Sequence, residues 1–146
     1  MPTYIVKTSN LQLKQKIKDK IAKGITRTHN KITGANFYFA QVIFEENKKN
    51  NHYMGGKIIK NDQIFLHGKI RAGRSSEIKK KLIIELRDSI IKNAEIKKDN
   101  VWVYLLDLIP SQMIEYGEIL PKSGEEKSWF ESLSKSLQRK LKKIDK

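Results

Sequence analysis

The sequence predicts an α/β (α+β) fold made of a tandem β-α-β repeat. A four-stranded mixed sheet carries two main helices on one face, and a further helix closes the C-terminus. Three observations carry this expectation. Apolar residues alternate at strand spacing, then recur every fourth residue, then run as a short apolar block, and the whole sequence of patterns occurs twice. Corresponding elements lie a near-constant distance apart: 60 residues for the first strands (3 and 63), and 64 for both the helices (11 and 75) and the second strands (37 and 101). The polar stretch 45–62 between the halves has turn signals and no helical periodicity.

In order, residues 3–8 read as a strand, and Ser9-Asn10 offer cap-type side chains before a helix. That helix places Leu13, Ile17, Ile21 and Ile25 in one row, stops near His29-Asn30 and has Gly34 as its stop glycine. Residues 37–44 are a strand apolar on nearly both faces, and Gly55-Gly56 suggests a short hairpin. Residues 63–70 are the next strand. Ser75 or Ser76 caps a helix whose apolar set is Ile78, Leu82, Leu86 and Ile90, and residues 101–106 are the fourth strand. Residues 110–117 form a turn or helical turn. The final amphipathic helix aligns Trp129, Phe130, Leu133, Leu137 and Leu141 and frays at its lysine-rich end. The expected organisation is one domain over 1–146, with βαβ units at about 2–46 and 63–107 and a tail at 118–146. Each crossover should be right-handed and its strand pair parallel. Two helices cannot cover both faces of the sheet, so further copies of the chain are the expected cover of the second face.

Composition bounds function. There is no cysteine, hence no disulfide framework, no Cys-based zinc site and no thiol nucleophile. No apolar run approaches the roughly 20 residues of a membrane span, and nothing resembles a signal peptide, so a cytoplasmic protein is expected. The net charge of +14 rests on 30 basic residues, of which only 5 are Arg. Base readout leans on Arg and single-strand binding on spaced aromatics. Neither pattern is present, which argues against nucleic acid as the partner.

Chemistry points first to Pro2. Trimming of Met1 would leave it a secondary amine at the mouth of a strand, and a free α-amino group titrates near about pH 8. The alternative is that Pro2 is simply a small second residue. Arg71 and Arg74 stand between a strand end and a helix start. Two guanidiniums there suit a carboxylate or phosphate, unless they are solvated surface charges. His29 is either a ligand contact or a cation favoured by a helix C-terminus. Tyr104 is either reactive or a core tyrosine, and Glu115 either a base or a surface carboxylate. No Ser-His-Asp order, phosphate loop or His-rich metal spacing occurs.

These stretches together resemble the tautomerase superfamily, in particular the cis-3-chloroacrylic acid dehalogenase group. The likeness rests on Met1-Pro2-Thr3-Tyr4, Ile25-Thr26-Arg27-Thr28-His29-Asn30-Lys31-Ile32-Thr33-Gly34, Ile64-Phe65-Leu66-His67-Gly68, Arg71-Ala72-Gly73-Arg74-Ser75, Val101-Trp102-Val103-Tyr104 and Gln112-Met113-Ile114-Glu115-Tyr116-Gly117. It extends from Pro2 to about Phe130. The resemblance implies a homotrimer with a proline in each site and no metal or organic cofactor. It also implies catalytic roles for Pro2, Tyr104 and Glu115, and binding of a small anionic carboxylate substrate by His29, Arg71 and Arg74. The implied reaction is addition of water to a short unsaturated acid: dehalogenation of a cis-3-haloacrylate, or hydration of an acetylenic acid, giving malonate semialdehyde. The alternative is keto-enol tautomerisation of a 2-keto acid such as phenylpyruvate, and a basic binding module is the non-enzymatic reading. Phe39 departs from the group, which has a smaller aliphatic residue there, and implies a different apolar wall.

Overall fold

The computed structural model describes residues 2–146. The fate of Met1 lies outside them. In chain order the elements are β1 (Thr3–Ser9), α1 (Gln15–Thr33), β2 (Gln41–Glu46), β3 (Tyr53–Met54), β4 (Lys57–Ile58), β5 (Gln63–Arg71), α2 (Ser76–Ala94) and β6 (Val101–Leu108). They continue with β7 (Ile114–Glu115), β8 (Glu118–Ile119), α3 (Glu126–Ser132) and α4 (Lys135–Ile144). The main sheet has the order β2-β1-β5-β6. β1 is parallel to β2 and β5 to β6, and β1 meets β5 antiparallel. This is the expected mixed sheet of two parallel βαβ pairs.

Strand alternation sorts the sheet into two faces. Tyr4, Val6, Ile64, Leu66 and Ile70 turn to the helices and are buried against Ile21 and Ile25 of α1 and Leu82, Leu86 and Ile90 of α2. The two helices approach closely at Gly24, where a Cβ would lie 2.4 Å from Ser89 Oγ. The other face carries Ile43, Trp102, Tyr104 and Leu106, all exposed. The face expected to lack a cover is uncovered in the single chain.

Several boundaries differ from expectation, each for a physical reason. Ser9 and Asn10 do not cap α1, which starts at Gln15 with no side-chain cap. Ser9 ends β1 instead, bonded to His52 Nδ1 at 2.7 Å and accepting from Asn47 Nδ2 at 2.8 Å, while Asn10 donates to the carbonyls of Ile59 and Asn61. Helix α1 does not stop near His29. It runs to Thr33, where Gly34 takes φ 72° and its N–H reaches the Asn30 carbonyl. Residues 37–39 form a 3-10 turn rather than strand, because Tyr38 and Phe39 leave the sheet for a second apolar cluster with Leu120, Trp129, Leu133 and Leu141. Residues 114–119 form the hairpin β7–β8 about Tyr116 and Gly117, both at positive φ. The terminal helix is two helices, divided where Ser134 caps α4 by accepting from Leu137 N–H. Its end is tied down: Asp145 accepts from Asn36 Nδ2 at 2.9 Å and from Tyr38 N–H at 3.1 Å. No helix is long and apolar enough to cross a membrane.

Candidate active site

Pro2 immediately precedes β1 and is buried; its carbonyl accepts from Gln41 N–H at 2.9 Å. Two residues on, Tyr4 lies fully buried on the helix-covered face. Its hydroxyl meets His29 Nδ1 at 2.7 Å, with the rings edge to face at 5.7 Å. The space for this ring comes from the strand beside it. Gly68 stands opposite Tyr4 in the register, and a Cβ there would lie 2.6 Å from Tyr4 Cε1.

His29 continues the row of Ile21 and Ile25 and is buried with them. The role of helix-end cation is therefore excluded. Burial, and after it the charge of Arg74, pulls the imidazole down to about 3, so the ring is neutral at physiological pH. Burial also pushes the Tyr4 hydroxyl well above its ordinary value, against the pull of Arg74, and the residue stays a phenol. A phenol that donates to Nδ1 leaves the ring hydrogen on Nε2. Nε2 is buried and has no partner among the described residues.

Arg71 ends β5 and is 2% exposed. Its Nη1 donates to the Pro121 carbonyl at 2.8 Å, and its Nη2 forms a very short ion pair with Glu126 Oε1. Its Nε is a second buried donor without a partner among the described residues. Arg74 precedes the N-cap Ser75, which accepts from Ile78 N–H, and it donates through Nη1 to the Arg71 carbonyl at 2.8 Å. Burial, then the charge of Arg71, lowers the Arg74 pKa. A cavity of about 440 Å³ opens over this region, lined by Arg71, Arg74, Ser75, Gly34, Gly124 and Glu126 among others. The arginines are thus not a pair of solvated surface charges.

Glu115 lies elsewhere in the chain's surface, on β7, lining a hollow of about 370 Å³ with Tyr38, Phe39, Gln41 and Tyr116. Gln41 links this hollow to Pro2 through the carbonyl contact above. The Tyr116 hydroxyl donates to the Tyr38 carbonyl and pins the hairpin in place. Phe39 is buried against Trp129 at 5.4 Å between ring centroids, so the apolar wall beside Glu115 is aromatic. Tyr104 is apart from all of these. It is 53% exposed on the open face, edge to face with Phe65 at 5.0 Å and in register with His67. Within one chain, His29, Arg71 and Arg74 come together, Pro2 and Glu115 flank Gln41, and Tyr104 joins neither group.

Two participants were not singled out from the sequence. Tyr4 carries a signal, since strand alternation puts it on the same side as the start of the chain's buried row. Glu126 carries none, because its contact with Arg71 spans 55 residues. Among the described residues no group of three His, Cys, Asp or Glu is placed to hold a metal.

Residues 1–133 match the profile of a family described as "Putative oxalocrotonate tautomerase enzyme". No curated protein matches the sequence. Among solved structures, the chain is similar to N1, a member of the cis-3-chloroacrylic acid dehalogenase family, with TM-score 0.92 and 29% identity over 97% of this chain and 99% of that one. It is also similar in fold to a fused 4-OT solved as a symmetric trimer (TM-score 0.73, 18% identity, 81% of this chain and 94% of that one). A further likeness is to Pt0534 inactivated by 2-oxo-3-pentynoate (TM-score 0.74, 19% identity, 83% and 97%).

Proposed function

The chain belongs to the oxalocrotonate tautomerase family, within the tautomerase superfamily and on its cis-3-chloroacrylic acid dehalogenase-like side, and from that premise we propose that it adds water to a short α,β-unsaturated monocarboxylic acid, with Pro2 as the proton donor. One observation carries the reading. His29 Nε2 and Arg71 Nε are buried without partners among the described residues, beside the charge of Arg74, and Nε2 is a donor when the Tyr4 hydroxyl donates to Nδ1. Leaving a buried donor unsatisfied costs about 1–3 kcal/mol. A carboxylate would satisfy both.

In this mechanism the carboxylate accepts from Arg71, Arg74 and neutral His29, which draw electron density away from C3. Glu115, with Tyr104, takes a proton from water as its oxygen bonds to C3. Pro2, as an ammonium, gives its proton to C2. For a 3-haloacrylate the product halohydrin expels halide and a proton to leave malonate semialdehyde. An acetylenic acid gives the enol of the same aldehyde. Tyr104 must then come from a second copy of the chain, because its own sheet face is open and turned away from Tyr4 and His29. That requirement, with the exposed apolar face, favours a homotrimer in which each site spans two copies.

A second reading follows from the same residues. His29, Arg71, Arg74 and Pro2 form a complete set for keto-enol tautomerisation of a 2-keto acid, with Pro2 as base and no use for Glu115. Glu115→Gln separates the two. It should abolish hydration of 3-haloacrylates and acetylenic acids while leaving phenylpyruvate tautomerisation largely intact, and Pro2→Ala should damage both. Intact hydration in Glu115→Gln would refute the role given to Glu115.

A further inference from the structure

We infer that Glu126 is a positioning residue for Arg71, which fixes that guanidinium and sets the charge of the cavity to suit one carboxylate rather than two. The inference rests on the carboxylate reading above and adds to it a determinant of ligand charge.

The argument begins with what remains available on Arg71. A guanidinium offers five N–H donors on three nitrogens. Here Nη1 is engaged by the Pro121 carbonyl and Nη2 by Glu126, and Nε alone lacks a partner among the described residues. Both anchors come from the C-terminal segment. Glu126 is itself held at its other oxygen, where Oε2 accepts from Gly124 N–H at 2.9 Å. The side chain of Arg71 is therefore clamped from the end opposite its free donor, and its direction is set by Glu126 and not by a ligand.

Charge is the second half. Two guanidiniums line the cavity with one carboxylate, Glu126, while His29 is neutral. Burial disfavours the Glu126 anion, but the hydrogen bond and charge of Arg71 outweigh this and hold its carboxyl below the ordinary range. Asp107, the other acid acting on Arg74, is paired with Lys79 at 2.7 Å. With the Pro2 ammonium and Glu115 carboxylate of the proposed mechanism offsetting one another, the lining thus has a surplus of one positive charge. A monocarboxylate neutralises it. A dicarboxylate would bring its second charge near Glu126, a repulsion worth more than tenfold in affinity at close range in a partly desolvated site.

The experiment is calorimetric titration of the full-length protein with acrylate and with maleate, needing no turnover. Wild type should bind acrylate in preference to maleate. In Glu126→Gln, which keeps the shape and one acceptor for Arg71, the preference should shift toward maleate by about tenfold or more. Glu126→Asp keeps the charge but shortens the reach to Arg71, so acrylate should weaken severalfold with the preference unchanged. A residue that merely fastened the C-terminal segment would not move the ratio. An unchanged ratio in folded Glu126→Gln would overturn the inference, as would undiminished acrylate binding in Glu126→Asp should the Gln variant fail to fold. Wild type binding neither acid would count instead against the carboxylate reading beneath it.

Discussion

The two faces of the central sheet are built from the same strands and have opposite fates. On the helix-covered face Tyr4, Val6, Ile64 and Leu66 are fully buried, and a neutral histidine is held against a phenol among them. On the open face Ile43, Trp102, Tyr104 and Leu106 project into solvent with a third or more of each side chain accessible. Three of them follow one another along β6 while Ile43 stands at the far edge on β2, and large exposed apolar patches of this kind are uncommon on a solitary protein surface. The contrast teaches that burial tunes the groups on one face, while the other is left as an apolar surface without a cover in the single chain, which is what the proposed site shared between copies would need. Tyr4 and His29 lie under the helices, Arg71 at the end of β5 is buried by the C-terminal segment instead, and Tyr104 stays on the open face.

The largest expected effect strikes the covered face and its ligand contacts. Arg74→Ala should lower kcat/KM on carboxylate substrates by about 3 kcal/mol or more, on the scale of a desolvated charged contact. Steady-state kinetics on a 3-haloacrylate or acetylenic acid would check this, and wild-type values would return Arg74 to a structural role.

Next is the packing that makes room for the Tyr4–His29 pair. Gly68→Ala puts a methyl group into the space of the Tyr4 and Leu105 side chains. It should destabilise the fold by about 1–3 kcal/mol, the usual cost of overpacking, read as a shift in the denaturant midpoint. Tyr4→Phe should cost a comparable amount by orphaning His29 Nδ1.

The pH dependence is a gentler probe of the same face. His29 ordinarily titrates at 6.5 and is pulled down to about 3 by burial. The unfolded chain therefore binds one more proton than the folded one between these values. Stability contributed by neutral His29 is complete above pH 6.5 and is lost as pH falls toward 3. The slope in that window is about 1.4 kcal/mol per pH unit. Denaturation between pH 6.5 and 4.5 should show it, and His29→Gln should flatten it.

The smallest effect on folding should come from the open face. Trp102→Glu or Leu106→Lys should change the stability of the isolated chain by less than about 1 kcal/mol, since both residues are exposed. The same changes should abolish self-association in light scattering. Unchanged association would mean that this face is not where copies meet.

Much of this was legible in the sequence, and particular residues show where legibility stopped. The repeat spacing pointed to the two parallel strand pairs because each βαβ unit is a local decision about periodicity, while the antiparallel β1–β5 contact that joins the halves was not read from it. The extra turn of α1 past His29 was recorded in Gly34. His29 itself reads as a helix-end cation until the row Ile21, Ile25, His29 is followed one step further, to an imidazole in the core. Tyr38 and Phe39 looked like strand because their destination is a cluster formed by residues eighty and more positions later. The Arg71–Glu126 contact has no local trace. It depends on where β8 and α3 bring the chain, which only tertiary structure decides.

The claim that the site is shared between copies has its most direct test in subunit mixing. Tyr104→Phe and Glu115→Gln should each be inactive as pure hydratases. If Tyr104 serves the Glu115 of another copy, unfolding and refolding the two variants together must create some sites carrying both native residues. The account predicts recovery of a substantial fraction of wild-type hydration in the mixture. Activity equal to the average of the two separate variants, in a sample shown to have exchanged chains, would contradict it.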